Sequence, residues 1–105
     1  MTAFRIERNG MMARVTPREK LTASEVPGLQ EAIRLELEAG VRNLIFDLSE
    51  TAMLDSSGIG LLIAAKNSLS GLQGSLSVVQ ATPEVMKLLQ RMRLVQRLQV
   101  IGGER

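Results

Sequence analysis

Asn43-Leu44-Ile45-Phe46-Asp47-Leu48, followed across a short irregular stretch (Glu50 to Leu54) by Asp55-Ser56-Ser57-Gly58-Ile59-Gly60-Leu61-Leu62-Ile63-Ala64-Ala65, decides how this chain is built. The first segment sets three apolar residues, Leu44, Ile45 and Phe46, on consecutive positions. In a strand these point to alternate faces, so the segment reads as a central strand buried on both faces. The second segment opens on small polar residues suited to a helix N-terminus and continues apolar, predicting a helix to about Leu69. A strand that hands over to a helix in mid-chain is the repeating step of an α/β protein.

Working outward, the same step recurs on both sides. Gly71 and Gly74 mark the exit from the helix, Ser75 to Gln80 reads as the next strand, and Thr82-Pro83 starts a helix by the pairing of a capping residue with proline. Val85, Leu88, Leu89 and Met92 give that helix its apolar face, and Leu98 to Ile101 closes with a short strand. On the other side, Leu29, Ile33 and Leu37 recur at helical spacing, with Ser24 as expected cap, Val26-Pro27 in the first turn and Gly40 at the end. Ahead of that helix lie two strands, Phe4 to Glu7 and Met11 to Val15, joined through Arg8-Asn9-Gly10, a hairpin signal; Pro17 ends the second. The order β-β-α-β-α-β-α-β predicts an α/β fold, a mainly parallel sheet of about five strands with right-handed crossovers, in a single domain over residues 1–105.

Composition narrows the function. The 105 residues are 45% apolar and 23% charged, a globular balance, and suffice for one core rather than two. Phe4 and Phe46 are the only aromatic residues, so Leu, Ile, Val, Ala and the six Met are expected to fill the interior. So few rings leave nothing on which bases could stack, and a net charge of +2 is too small to draw a phosphate backbone; no nucleic-acid partner is expected. With no Cys and no His there are no thiolate or imidazole metal ligands, and no metal or cofactor is expected. The N-terminus lacks an apolar run of signal-peptide length, and the strongly apolar run Ile59 to Ala65 is too short for a membrane span. A soluble, cytoplasmic protein without membrane attachment is the expectation.

The remaining polar feature is Asp55-Ser56-Ser57-Gly58 at the strand-to-helix junction. Orphan N–H groups and the helix dipole favour an anion there. Ser56 is either a plain helix cap or a phosphoacceptor. Asp55 either caps the same helix or orients the Ser56 hydroxyl and meets a partner. Gly58 and Gly60 each cost a helix about 0.8–1.0 kcal/mol relative to alanine. Close packing against the sheet and close approach by a partner both account for them. Hydrolase chemistry at Ser56 would need a base, and with neither His nor Cys nor a Gly-x-Ser-x-Gly elbow present, the chain is expected not to be an enzyme.

The element order together with Leu54-Asp55-Ser56-Ser57-Gly58-Ile59-Gly60 resembles the STAS family, and within it the bacterial anti-sigma factor antagonists. The likeness runs from the opening strands to Ile101. It implies phosphorylation of the serine after the aspartate, here Ser56, with Ser57 as second choice. It implies as partner an anti-sigma factor that is also a serine protein kinase of the ATP-binding histidine-kinase-like fold. The unphosphorylated antagonist would bind this partner and free the sigma factor, and a metal-dependent serine phosphatase would restore that form. Asp55, Ser56, Ser57, Gly58, Ile59 and Gly60 would form the docking surface, and the apolar excess from Ile59 to Ala65 would serve the same contact. The chain departs from the family where antagonists carry Gly-Glu-(Leu or Ile)-Asp after the second strand, for the matching residues are Glu19-Lys20-Leu21-Thr22. Lys20 and Thr22 are then either loop drift or an altered partner specificity. STAS domains also serve as regulatory subunits of lipid- or solute-transport ATPases; those members often lack the first serine, so Asp-Ser-Ser-Gly favours the sigma-type switch.

Overall fold

The computed structural model describes residues 3–101, with the elements β1 (Phe4–Asn9), β2 (Met12–Pro17), β3 (Glu19–Leu21), α1 (Val26–Glu38), β4 (Asn43–Asp47), β5 (Thr51–Leu54), α2 (Ser56–Gly71), β6 (Ser75–Val79), α3 (Pro83–Arg91) and β7 (Val100–Ile101). Five strands form the main sheet in the order β1-β2-β4-β6-β7. The β1–β2 pair is antiparallel and every other pairing in that sheet is parallel, as expected of an α/β fold. The opening hairpin turns one residue later than Asn9-Gly10 suggests. Asn9 pairs with Met12, so Gly10 and Met11 form the turn, with Gly10 at φ +65° in the first central position.

Two rows of side chains run across the sheet and anchor the core: Ala13, Leu44 and Leu76, then Val15, Phe46 and Val78, all buried. Leu29 and Ile33 of α1, Ile59, Leu62 and Leu69 of α2, and Val85 and Leu89 of α3 join them in one cluster. The helices cover a single face of the sheet, for a topological reason. Each crossover from β2 to β4 to β6 to β7 steps in the same direction, so crossovers of one hand deliver every helix to the same side. The opposite face is solvated: Ile45 there is only half-buried, beside the Arg14–Asp47 ion pair at 2.8 Å. The reading of β4 as buried on both faces is corrected accordingly.

Other local expectations shift as well. The stretch Glu50 to Leu54 is not irregular throughout, since β5 pairs in parallel with β3 as a second, two-stranded sheet. Both strands are very short and lie some thirty residues apart, so no hairpin signal announces them. Among the described residues the methionines add little to the core: none is fully buried, Met86 packs against the core from its edge, and Met11, Met53 and Met92 are exposed, because leucine takes most of the interior positions. Met92 therefore does not extend the buried face of α3. The last strand shrinks to Val100–Ile101, while Leu98 is buried ahead of it. Ser24 does not cap α1; the capping position is Glu25, with no side-chain cap bond.

Candidate functional site

The parallel pairing of β3 with β5 brings the two segments singled out in the sequence to one end of the molecule. Leu21 pairs with Leu54 and Lys20 with Met53, so the loop after β3 lies against the start of α2. Asp55, extended at φ −110° and ψ −173°, is the N-cap of α2, and its Oδ1 accepts from the Gly58 N–H at 3.0 Å. Its Oδ2 accepts from the Ala23 N–H at 3.2 Å. One carboxylate thus ties the β3–α1 loop to the helix end.

With Asp55 as the cap, Ser56 is not the capping residue but the first residue of α2. It is exposed, and its hydroxyl makes no hydrogen bond to another described residue. The first helical bond runs from the Ile59 N–H to the Asp55 carbonyl. Ser57 is half-buried in the first turn.

The two glycines separate cleanly. A Cβ on Gly58 would stand 2.3 Å from the Leu21 carbonyl oxygen and 2.7 Å from Leu54 Cδ1. That glycine is where the helix start presses on β3. A Cβ on Gly60 would meet nothing within 4 Å, and the residue is exposed. Close packing accounts for Gly58 and not for Gly60. Ile59, Leu61, Leu62 and Ala65 are buried in the core, so the apolar run is mostly consumed by the fold; Gly60 and Ala64 are its exposed members.

The loop preceding α1 is organised by Glu25, which the sequence reading passed over. Its Oε1 accepts from the Thr22 N–H at 2.9 Å and from the Thr22 hydroxyl at 2.7 Å, and its Oε2 accepts from the Ser24 hydroxyl at 2.6 Å. The Lys20 ammonium stands 3.9 Å from the same Oε2. The Ser24 and Thr22 hydrogen bonds, with help from Lys20, hold the Glu25 carboxyl down at about 2 from an ordinary 4.5. The signal was present in the sequence as Thr22-x-x-Glu25, a capping-box spacing. Lys20 and Thr22 are therefore both engaged by Glu25, and Lys20 keeps half its side-chain surface open to solvent. Met53, exposed beside Lys20, adds an apolar element to this end that sequence periodicity did not reveal.

Comparisons with known proteins agree with this architecture. The family model described as "STAS domain" matches residues 3–101. No curated protein sequence is recognisably similar to the chain. Among solved structures, the anti-sigma factor antagonist SpoIIAA in its unphosphorylated form superposes with a TM-score of 0.84 at 21% identity, covering 94% of this chain and 88% of that one. An anti-sigma factor antagonist from Mycobacterium paratuberculosis gives 0.83 at 21% identity over 95% and 85%. The Bacillus cell fate determinant SpoIIAA in its phosphorylated form gives 0.78 at 20% identity over 94% and 89%. No described helix is long and apolar enough to cross a membrane.

Proposed function

The chain belongs to the STAS domain family, and from that premise we propose that it is an anti-sigma factor antagonist in a partner-switching pathway, controlled by phosphorylation of Ser56. Unphosphorylated, it binds a kinase that doubles as anti-sigma factor and frees the sigma factor; the phosphate on Ser56 breaks that contact, and a metal-dependent serine phosphatase removes it. These steps place the protein in the cytoplasm.

The observation that carries this reading is the division of labour between Asp55 and Ser56. Asp55 takes over capping of α2, which leaves the exposed Ser56 hydroxyl without a structural task. A phosphate there adds about −1.5 to −2 charges. Both Asp55 oxygens already hold N–H donors, at Gly58 and Ala23, so the cap itself has no place for the phosphate. The Asp55 charge also repels it. The new charge therefore faces outward, against any surface docked on the helix end, and the core need not open. The likeness of this fold to both the phosphorylated and the unphosphorylated form of SpoIIAA supports that expectation.

Incubation with the cognate kinase and ATP, followed by peptide mass spectrometry, tests the assignment. Phosphate is expected on Ser56 and lost in Ser56→Ala; modification confined to Ser57 would refute it. Ser56→Asp is expected to keep the native circular dichroism and to weaken kinase binding in calorimetric titration.

A further inference from the structure

β1 is an edge strand of the main sheet. Its inner side pairs with β2, and among the described residues no strand pairs with its outer side. The ladder tells which backbone groups that edge offers. The Arg18 N–H donates to the Ala3 carbonyl at 2.9 Å, one step beyond the Phe4–Pro17 pair. Bonded and non-bonded pairs alternate along an antiparallel ladder, so Arg5, Glu7 and Asn9 bond to β2 while the N–H and C=O of Phe4, Ile6 and Arg8 point outward. Pro17 fits this phase, since the position opposite Phe4 asks no N–H of it.

We propose that β1 pairs with β1 of a second copy, antiparallel about a two-fold axis at Ile6, forming a homodimer whose sheet is continuous across both copies. Outward-facing residues must pair with outward-facing residues, which leaves few registers. With the axis at Ile6, Ile6 faces Ile6, Phe4 faces Arg8, and Arg5 faces Glu7 twice. The latter are non-bonded pairs, where side chains come closest. A shift of the axis to Arg5 sets Arg5 against Arg5, and a shift to Glu7 sets Glu7 against Glu7. Only the Ile6 axis places opposite charges together.

The participating side chains are within reach of such a contact. Arg5 and Glu7 are 44% and 66% exposed and lie 4.0 Å apart on the solvated face of the sheet, and Arg5 also stands 3.4 Å from Glu50. Arg8 lies on the helix-covered face, 3.0 Å from Glu36, so its charge is already balanced where Phe4 would meet it. Ile6, half-buried in the single chain, gains cover from its counterpart. Charges on a sheet edge ordinarily repel stray strands. Here their pattern also complements itself under two-fold symmetry, as an isologous interface requires.

The test is sedimentation equilibrium over a wide range of protein concentration. The native chain is expected to rise from 11.5 kDa toward twice that mass. Glu7→Arg and Arg5→Glu are each expected to stay monomeric with native circular dichroism, because each sets like charges face to face. An equimolar mixture of the two variants is expected to recover the dimer, since every facing pair is then opposite. A native chain that stays monomeric, single variants that associate as the native chain does, or a mixture that stays monomeric would each overturn the proposal. A check without variants follows amide hydrogen exchange in the native chain: Ile6 and Arg8 are expected to gain protection with concentration, and their indifference to it would also refute the dimer.

Discussion

Asp55 Oδ2 accepts the Ala23 N–H at 3.2 Å while Oδ1 of the same carboxylate caps α2 through Gly58 at 3.0 Å, so one side chain joins two segments 32 residues apart. Asp55→Ala removes both bonds. Loss of an N-cap alone costs about 0.5–2 kcal/mol, and a stability loss in the upper half of that range is expected in urea denaturation. Asp55→Asn keeps an oxygen for one donor only and is expected to fall between alanine and the native chain. Equal stability of Asp55→Ala and the native chain would show that the tie carries no load.

Gly58→Ala and Gly60→Ala are expected to act in opposite directions. Alanine is favoured over glycine within a helix by about 0.8–1.0 kcal/mol. At Gly60 a methyl group meets nothing within 4 Å, so the variant is expected to be stabilised by about that amount. At Gly58 the methyl meets a backbone carbonyl at 2.3 Å, and overpacking of this kind typically costs about 1–3 kcal/mol, which outweighs the helix gain. Thermal unfolding of the two variants decides. If bare backbone at Gly60 serves the kinase contact, Gly60→Ala will bind more weakly in spite of its greater stability.

Lys20 is an exposed cation beside the Ser56 end, and its ion pair with Glu25 at 3.9 Å is loose. Such pairs are worth about 0–1 kcal/mol, so Lys20→Glu is expected to leave the fold intact. If this loop sets partner choice, Lys20→Glu and Thr22→Asp will slow association with the native kinase, and more so at low salt than at high salt. Surface plasmon resonance at two salt concentrations measures this. Unchanged rates at both would mean that the departure from the family pattern is drift.

Glu25 makes the loop acid-sensitive. Its carboxyl titrates at about 2 in the folded chain against an ordinary 4.5, because Ser24 and Thr22 donate hydrogen bonds to the ionised form. A depressed folded value means that the ionised form favours the native state. The contribution is complete above about 4.5 and disappears as pH falls from there toward 2. The side-chain carbon resonance of Glu25 is expected to titrate near 2, and Glu25→Gln is expected to flatten the dependence of stability on pH between those values. A midpoint close to 4.5 would show the hydrogen bonds to be absent in solution.

The order of the three helices and of the five main-sheet strands, the opening hairpin and the place of Asp55-Ser56 at a strand-to-helix junction were legible in the sequence. They rest on local periodicity, caps and turns, which a linear pattern carries. Tertiary structure alone decided what depends on contacts between distant segments. The β3–β5 pairing joins three residues to four across thirty positions, and neither strand is long enough to show a period. In the sequence, Leu44-Ile45-Phe46 looked buried on both faces of the strand and the Ile59–Ala65 helix apolar over most of its circumference. Which sides were covered was decided by the direction of the crossovers, which placed all helices on one face and left Ile45 half-open. Gly58 and Gly60 are identical as letters. One presses on the Leu21 carbonyl and the other faces solvent, because two residues along a helix turn about 200° and α2 sets its first turn against β3 on the Gly58 side.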